Sequence, residues 1–262
     1  MIIDLSGKNA IVCGSSSGIG KAIALQFASS GANVTLIARN EEKLRAVLRE
    51  LNASKKQNHN FIAVDFSDHE SLRIKLHNFV SENKPVHILV NNTGGPKSGE
   101  AYKADIKEYE TAFRKHVICN QVLVQALVEG MKKEKYGRII NIISTSVKQP
   151  IKNLGVSNTI RAAVAGWSKT LASELAPFGI TVNNILPGAT KTDRLFSLFK
   201  TNSESSGISV EDVEKEWLKQ IPAGRFGEPE EFGYAAAFLA SPLAGYINGI
   251  NLPLDGGRLN CL

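Results

Sequence analysis

The apolar run at residues 9–13 leads straight into Gly14-Ser-Ser-Ser-Gly18-Ile-Gly20, and Lys21-Ala-Ile-Ala-Leu25 continues with helical spacing. Glycines in such a turn let the backbone come close to a pyrophosphate. The helix start supplies N–H groups without intrahelical partners at the positive end of the dipole. Gly14, Ser16, Ser17, Gly18, Ile19 and Gly20 are therefore expected to hold the phosphates of a dinucleotide. The spacing is Gly-x-x-x-Gly-x-Gly, which differs from the commoner Gly-x-Gly-x-x-Gly. The second apolar run ends Leu36-Ile-Ala38-Arg39-Asn40, without the acid that would accept from a free ribose 2′-hydroxyl. A guanidinium at Arg39 suits a 2′-phosphate, which takes parallel charge-assisted bonds. The expected cofactor is NADP(H) in preference to NAD(H); the other reading of Arg39 is a solvated residue opening a helix beside Glu41 and Glu42. Asp65 and Phe66 follow the third run and are counted with the same site. Asp65 either accepts from the adenine amino group or caps the next helix.

Short Val/Ile-rich runs recur at residues 9–13, 33–38, 61–64, 86–90, 138–143, 180–186 and 250–252, and read as strands buried on both faces. Between them, residues 18–30, 41–53, 70–82, 107–133, 158–176 and 229–240 carry helical spacing. This alternation predicts a parallel sheet covered by helices on both sides. Turns such as Asn92-Thr-Gly-Gly-Pro96 and Pro187-Gly188 lead the chain out of the strand ends. Residues 201–209 are polar and read as a mobile insertion, followed by a short helix around Trp217 that covers a ligand.

The 262 residues suffice for one folded unit, and the formal charge of +6 is spread along the chain. That mild excess favours a small anionic ligand and does not call for nucleic acid. Asp4 interrupts any apolar signal core, and no run reaches the roughly eighteen apolar residues of a membrane span, so a cytoplasmic chain without membrane association is expected. Three cysteines without a Cys-x-x-Cys pair, and five histidines without ligand spacing, set aside disulfide scaffolds and metal sites.

Together these motifs resemble the short-chain dehydrogenase/reductase family over residues 5–259. Gly14-x-x-x-Gly18-Ile-Gly20, Asn91-Asn92-Thr93-Gly94, Pro187-Gly188 and Asp255-Gly-Gly257 all stand at the family's spacing. The chain is similar in style to 3-oxoacyl-[acyl-carrier-protein] reductases and to sugar or hydroxysteroid reductases. The resemblance implies an α/β fold: one Rossmann domain over residues 1–262, with a seven-stranded parallel sheet in the order 3-2-1-4-5-6-7 flanked by helices, and a substrate-loop insertion at 193–225. It implies a homotetramer as well. Asn92, Thr93, Gly94, Pro187 and Gly188 would line the cofactor, Asn91 would brace the central strands, and Thr192 would reach the nicotinamide carboxamide.

The resemblance breaks at the catalytic positions. The family carries Tyr-x-x-x-Lys, a Ser thirteen residues earlier and an Asn on the preceding long helix. Counted from Gly137-Arg-Ile-Ile140, the Ser position is Ser144, the Tyr position Ser157, the Lys position Arg161 and the Asn position His116. No tyrosine occurs between Tyr136 and Tyr234. A serine hydroxyl is a far weaker acid than a tyrosine beside an ammonium, and an arginine stays charged. Ser157 can still donate a hydrogen bond, and Arg161 can bind ribose hydroxyls or stabilise an oxyanion. His116 either relays protons near neutral pH or bonds a backbone carbonyl at a helix distortion. Ser144 either bonds the substrate carbonyl, with Thr145 or Ser146 as substitutes, or caps a strand end. Lys148 and Lys152 either charge the pocket or sit in solvent, and Phe196, Phe199 and Trp217 form either a lid or core.

The expected function is NADPH-dependent reduction of a ketone or 3-oxoacyl-type carbonyl by a non-standard proton donor, on a small carbonyl or acyl substrate. The alternative is a non-catalytic NADP(H)-binding sensor, scaffold or partner subunit.

Overall fold

Seven strands and the helices between them alternate along the chain. In order they are β1 (Asn9–Cys13), α1 (Gly18–Ser29), β2 (Asn33–Ala38), α2 (Glu41–Glu50), β3 (Asn60–Ala63), α3 (His69–Glu82), β4 (Ile88–Asn91), α4 (Ile106–Phe113), α5 (Cys119–Glu134), β5 (Gly137–Ile142), α6 (Gly155–Leu175), β6 (Ile180–Pro187), α7 (Asp193–Ser206), α8 (Val210–Lys219), α9 (Pro229–Ala240) and β7 (Asn251–Leu254). The computed structural model describes residues 2–82 and 85–261; Met1 and Leu262, the ends of the expected domain, lie outside them. The strands form one parallel sheet in the order β3-β2-β1-β4-β5-β6-β7, the Rossmann arrangement in a single domain.

Each strand is apolar on both faces because each face meets helices. Ala10 and Val12 of β1 pack with Ile23 and Phe27 of α1 and Phe232 of α9. Ile11 and Cys13 point the other way, toward Leu72 and Leu76 of α3 and Leu123 and Leu127 of α5. Among the described residues, no helix is long and apolar enough to cross a membrane.

The sheet contains a polar ladder that apolar patterning does not reveal. Asn91, Asn141, Asn184 and Asn251 are register partners on β4, β5, β6 and β7. Asn91 Nδ2 donates to Asn141 Oδ1 (2.8 Å), Asn141 Nδ2 to Asn184 Oδ1 (2.9 Å), and Asn184 Nδ2 to Asn251 Oδ1 (2.8 Å). Ser168 Oγ of α6 also accepts from Asn141 Nδ2, at 3.2 Å. The amides tie four strands together at one level across the sheet, from the last residue of β4 to the first residue of β7.

Three expected elements differ. The second helix stops at Glu50, where Leu51 turns extended and Asn52 Oδ1 accepts from Ser54 N in a local turn. The long helix expected over 107–133 is α4 and α5 joined through a π-helical turn at Arg114–Ile118. Residues 201–206 of the expected mobile insertion are the last turns of α7. Thr201 and Ser206 hydroxyls donate to carbonyls four residues back, and Gly207, at φ 74°, ends the helix. With α8 this segment has its own small core of Leu195, Phe199, Val213, Ile221 and Phe226. Phe199 is therefore core, edge-on to Trp217 at 5.5 Å, while Phe196 is exposed.

Asn141→Ala strands Asn91 Nδ2, Asn184 Oδ1 and Ser168 Oγ without partners in the buried sheet. Each such group costs about 1–3 kcal/mol, so the unfolding free energy in urea falls by about 3 kcal/mol or more. Asn251→Ala, at the partly exposed end of the ladder, costs about 1 kcal/mol.

Candidate active site

A cleft of about 620 Å³ opens at the C-terminal ends of the strands, where ligands bind in open α/β sheets. The glycine turn forms its floor at one end. Gly14 has φ 60°, and a β-carbon there would lie 2.6 Å from the Asn92 carbonyl oxygen. Asn92 Nδ2 donates back to Gly14 O (3.3 Å), so the two turns after β1 and β4 hold each other. Ser15, which sequence reasoning did not single out, pins the turn to β2: its Oγ accepts from Ile37 N at 3.1 Å while buried. Ser17 caps α1 without a side-chain hydrogen bond, which leaves the first-turn N–H groups facing outward.

Of the residues expected to bind phosphates, Gly14, Ser16, Ser17, Gly18 and Ile19 line the cleft. Gly20 does not. A β-carbon on it would strike Gly14 O at 2.2 Å, so Gly20 lets α1 press onto the turn and is a positioning residue. Beyond the turn, Arg39, Asp65 and Phe66 line the wall. The Arg39 side chain is largely exposed, and its Nη1 lies 4.0 Å from Asp65 Oδ2. Asp65 does not cap α3. Its Oδ1 accepts from Ser67 N and Ser67 Oγ, which holds the carboxyl below its ordinary range, and the start of α3 is instead capped by Asp68, which accepts from Ser71 N.

At the opposite end α6 and α7 line the cleft with polar and charged side chains. Ser157 and Arg161 are one turn apart on the same face of α6 and both line the cleft. The loop before them is clasped at its base: Gly99 N donates to Asn153 O and Gly155 N to Gly99 O. Ser157 Oγ has no hydrogen-bond partner among the described residues. Arg161 is 8% exposed; Nη1 donates to Ile142 O (3.1 Å) and Nη2 to Thr93 O (3.5 Å), joining the ends of β5 and β4. Burial, and then the neighbouring Arg194, push its guanidinium down to about 10. Ser144 lines the cleft while its Oγ accepts from Ser146 N (3.0 Å), which leaves the hydroxyl proton free to point inward. Thr145 lines the cleft as well; Ser146 does not.

His116 sits in the π-helical turn, behind the cleft wall, with Nδ1 2.6 Å from Thr93 Oγ1. Burial, then Arg161 and Lys115, hold its imidazole well below the ordinary 6.5, so it is neutral and does not titrate near neutral pH. Gly94, Pro187, Gly188 and Thr192 complete the wall. The Thr192 hydroxyl is engaged at the start of α7: it donates to Thr190 O (3.2 Å) and accepts from Leu195 N (3.4 Å). Lys148 and Lys152 are not among the lining residues. Beside Arg161, Arg194 and Arg258 add positive charge at this end, and sequence reasoning missed both. Arg194 had a local signal, its position in the first turn after Thr192-Asp193; Arg258 follows Asp255-Gly-Gly257 and gave no chemical cue. Among the described residues, no group of three His, Cys, Asp or Glu could hold a metal ion.

Residues 14–258 match the family model described as enoyl-(acyl carrier protein) reductase. The chain belongs to the short-chain dehydrogenase/reductase family. Within this family of oxidoreductases it is 34% identical to the 3-oxoacyl-[acyl-carrier-protein] reductase FabG of Rickettsia bellii over 261 residues, 98% of this chain and 99% of that one. It is 30% identical to the NADPH-dependent reductase BacG of Bacillus subtilis, over 98% of this chain and all of that one. Among solved structures of the family, L-sorbose reductase from Gluconobacter frateurii, complexed with NADPH and L-sorbose, superposes over the whole of both chains with a TM-score of 0.93 at 32% identity.

His116 and His87, both depressed by burial, are neutral when folded and protonate more readily when unfolded. Below about pH 6.5 the unfolded chain binds more protons, so the unfolding free energy is complete above that pH and falls on acidification. The urea midpoint therefore drops between pH 7 and pH 5. In His116→Asn it drops less.

Proposed function

We propose that this chain is an NADP(H)-dependent carbonyl reductase in which Ser157 and Arg161 stand where relatives carry Tyr-x-x-x-Lys. The observation that carries the reading is the convergence of Ser157, Arg161 and Ser144 on the reaction end of the cleft that begins at the glycine turn. The residues fit a dinucleotide. The uncapped start of α1 and the Gly14 cradle would hold its pyrophosphate, and Arg39, shared between the cleft and an adjoining depression, would meet a 2′-phosphate. When bound, the reduced coenzyme supplies a hydride to the carbonyl carbon.

The carbonyl π electrons then collect on oxygen. Arg161, permanently charged in a water-poor site, stabilises that developing oxyanion electrostatically. Ser157 Oγ–H, without another partner, and the Ser144 hydroxyl donate hydrogen bonds to it, and the proton that completes the alcohol comes from solvent through Ser157. His116, neutral and bonded to Thr93, positions the turn after β4. The relatives named for 3-oxoacyl, NADPH-dependent and sorbose reduction support a ketone as substrate.

We also propose a cytoplasmic homotetramer. Two separate apolar patches support two interfaces: Tyr102, Ile106 and Phe113 around α4, and Tyr234, Leu243 and Tyr246 around α9. Light scattering after gel filtration reads about four times the chain mass of 28.4 kDa if this is right, and once that mass if it is not.

NADPH oxidation, followed by nicotinamide absorbance across a panel of ketoacyl thioesters, oxo acids and sugars, tests the activity. At least one substrate turns over, and Arg161→Ala lowers kcat by about 100-fold or more with the fold intact. Cofactor binding without turnover anywhere in the panel makes the chain a non-catalytic binder. Arg39→Asp weakens NADPH binding by about 30-fold and NADH binding by less than about threefold; equal losses refute the 2′-phosphate contact.

A further inference from the structure

Arg161 and Arg194 come from different helices and meet beside Gly95. Their Nη2 atoms lie 3.7 and 4.0 Å from the point that a β-carbon on Gly95 would occupy. Neither has a carboxylate within salt-bridge distance among the described residues. Arg161 donates to the Ile142 and Thr93 carbonyls, and Arg194 Nη2 donates to Pro96 O at 2.7 Å. Both guanidinium groups are held below their ordinary range by burial. Asp193, the acid lining this end, forms no ion pair, and Arg258 adds a third cation, bonded to Gln220 Oε1 and lying over the Trp217 ring. Arg161 is buried and Arg194 lies exposed at the cleft mouth; two like charges facing one open point repel each other, and an anion between them offsets that repulsion.

We propose that Arg161 and Arg194 together hold a carboxylate carried by the substrate next to its reacting carbonyl, so that the substrate is a short oxo acid. This rests on the reductase reading above and names the substrate class for the same site. The coenzyme phosphates would be held by the glycine turn and Arg39, so the anion facing Gly95 is a different one. Nor does the phosphate of a carrier's pantetheine arm supply it: the whole arm separates it from the thioester carbonyl, whereas Arg161 stands four residues, about 6 Å along the helix, from Ser157. A guanidinium pair fits a carboxylate with parallel hydrogen bonds, while a neutral ketone leaves both charges uncompensated.

Calorimetric titration of the NADP⁺-loaded protein with pyruvate and acetoacetate, each against its methyl ester, tests the proposal. At least one acid binds about tenfold or more tighter than its ester, and in Arg194→Gln that ratio falls toward one. Gly95→Asp provides a second test. Gly95 is not among the residues with positive φ, and a side chain there points between the two guanidinium groups, so the variant supplies its own carboxylate and abolishes the preference for the acid. Acids that bind no better than their esters, or that fail to bind at millimolar concentration, overturn the proposal. A preference that survives both variants overturns it too. If neutral ketones are still reduced in that case, only the substrate class is wrong; if neither coenzyme binds, the reductase reading itself fails.

Discussion

A guanidinium buried against the ends of two strands, with backbone carbonyls and, among the described residues, no carboxylate paired to it, sets the terms for this end of the cleft. Arg161 bridges the Ile142 and Thr93 carbonyls, so the two strand ends and α6 keep a fixed relation. Its charge cannot be relieved by deprotonation at working pH, since burial moves it only to about 10. An ammonium in the same place would lower the pKa of a neighbouring phenol. A guanidinium beside a serine cannot use that route, and its contribution is electrostatic: it attracts negative charge, whether on a developing oxyanion or on a carboxylate.

That charge is useful only if the groups around it are held still, and the asparagine ladder does much of that work. Parallel strands meet the cleft with their C-terminal ends, and each end is a place where regular hydrogen bonding stops. Behind those ends, Asn91, Asn141, Asn184 and Asn251 carry side-chain hydrogen bonding across four strands, with Ser168 linking the ladder to α6. The same helix presents Ser157 and Arg161. One polar network thereby connects the sheet to the groups that would face a substrate.

Much of this architecture was legible because it is local. Short Val/Ile-rich runs place the strands, and Gly14 and Gly18 mark backbone positions that only glycine adopts without strain, at φ 60° and 54°. Where reading from composition went astray, the reasons were tertiary. Residues 201–206 look like a loop because they are polar, yet their hydroxyls bond back to the helix and Phe199 anchors α7 in its own core. Gly20 looks like a phosphate ligand, but the space it preserves is occupied by the Gly14 carbonyl. His116 looks like a group that titrates near neutrality, and burial beside Arg161 removes that property.

From residue order alone came the alternation of strand and helix, the turn shaped for phosphates, the absence of an acid after β2, and the expectation that Ser157 and Arg161 occupy the family's catalytic positions. Each depends on neighbours within a few positions. What only the folded chain decided was which distant groups share a space: Arg161 with Arg194, Thr93 with His116, and four asparagines from four strands. Parallel stacking brings every strand end to one edge, so residues dozens of positions apart become neighbours there, and the burial that comes with it sets their charge.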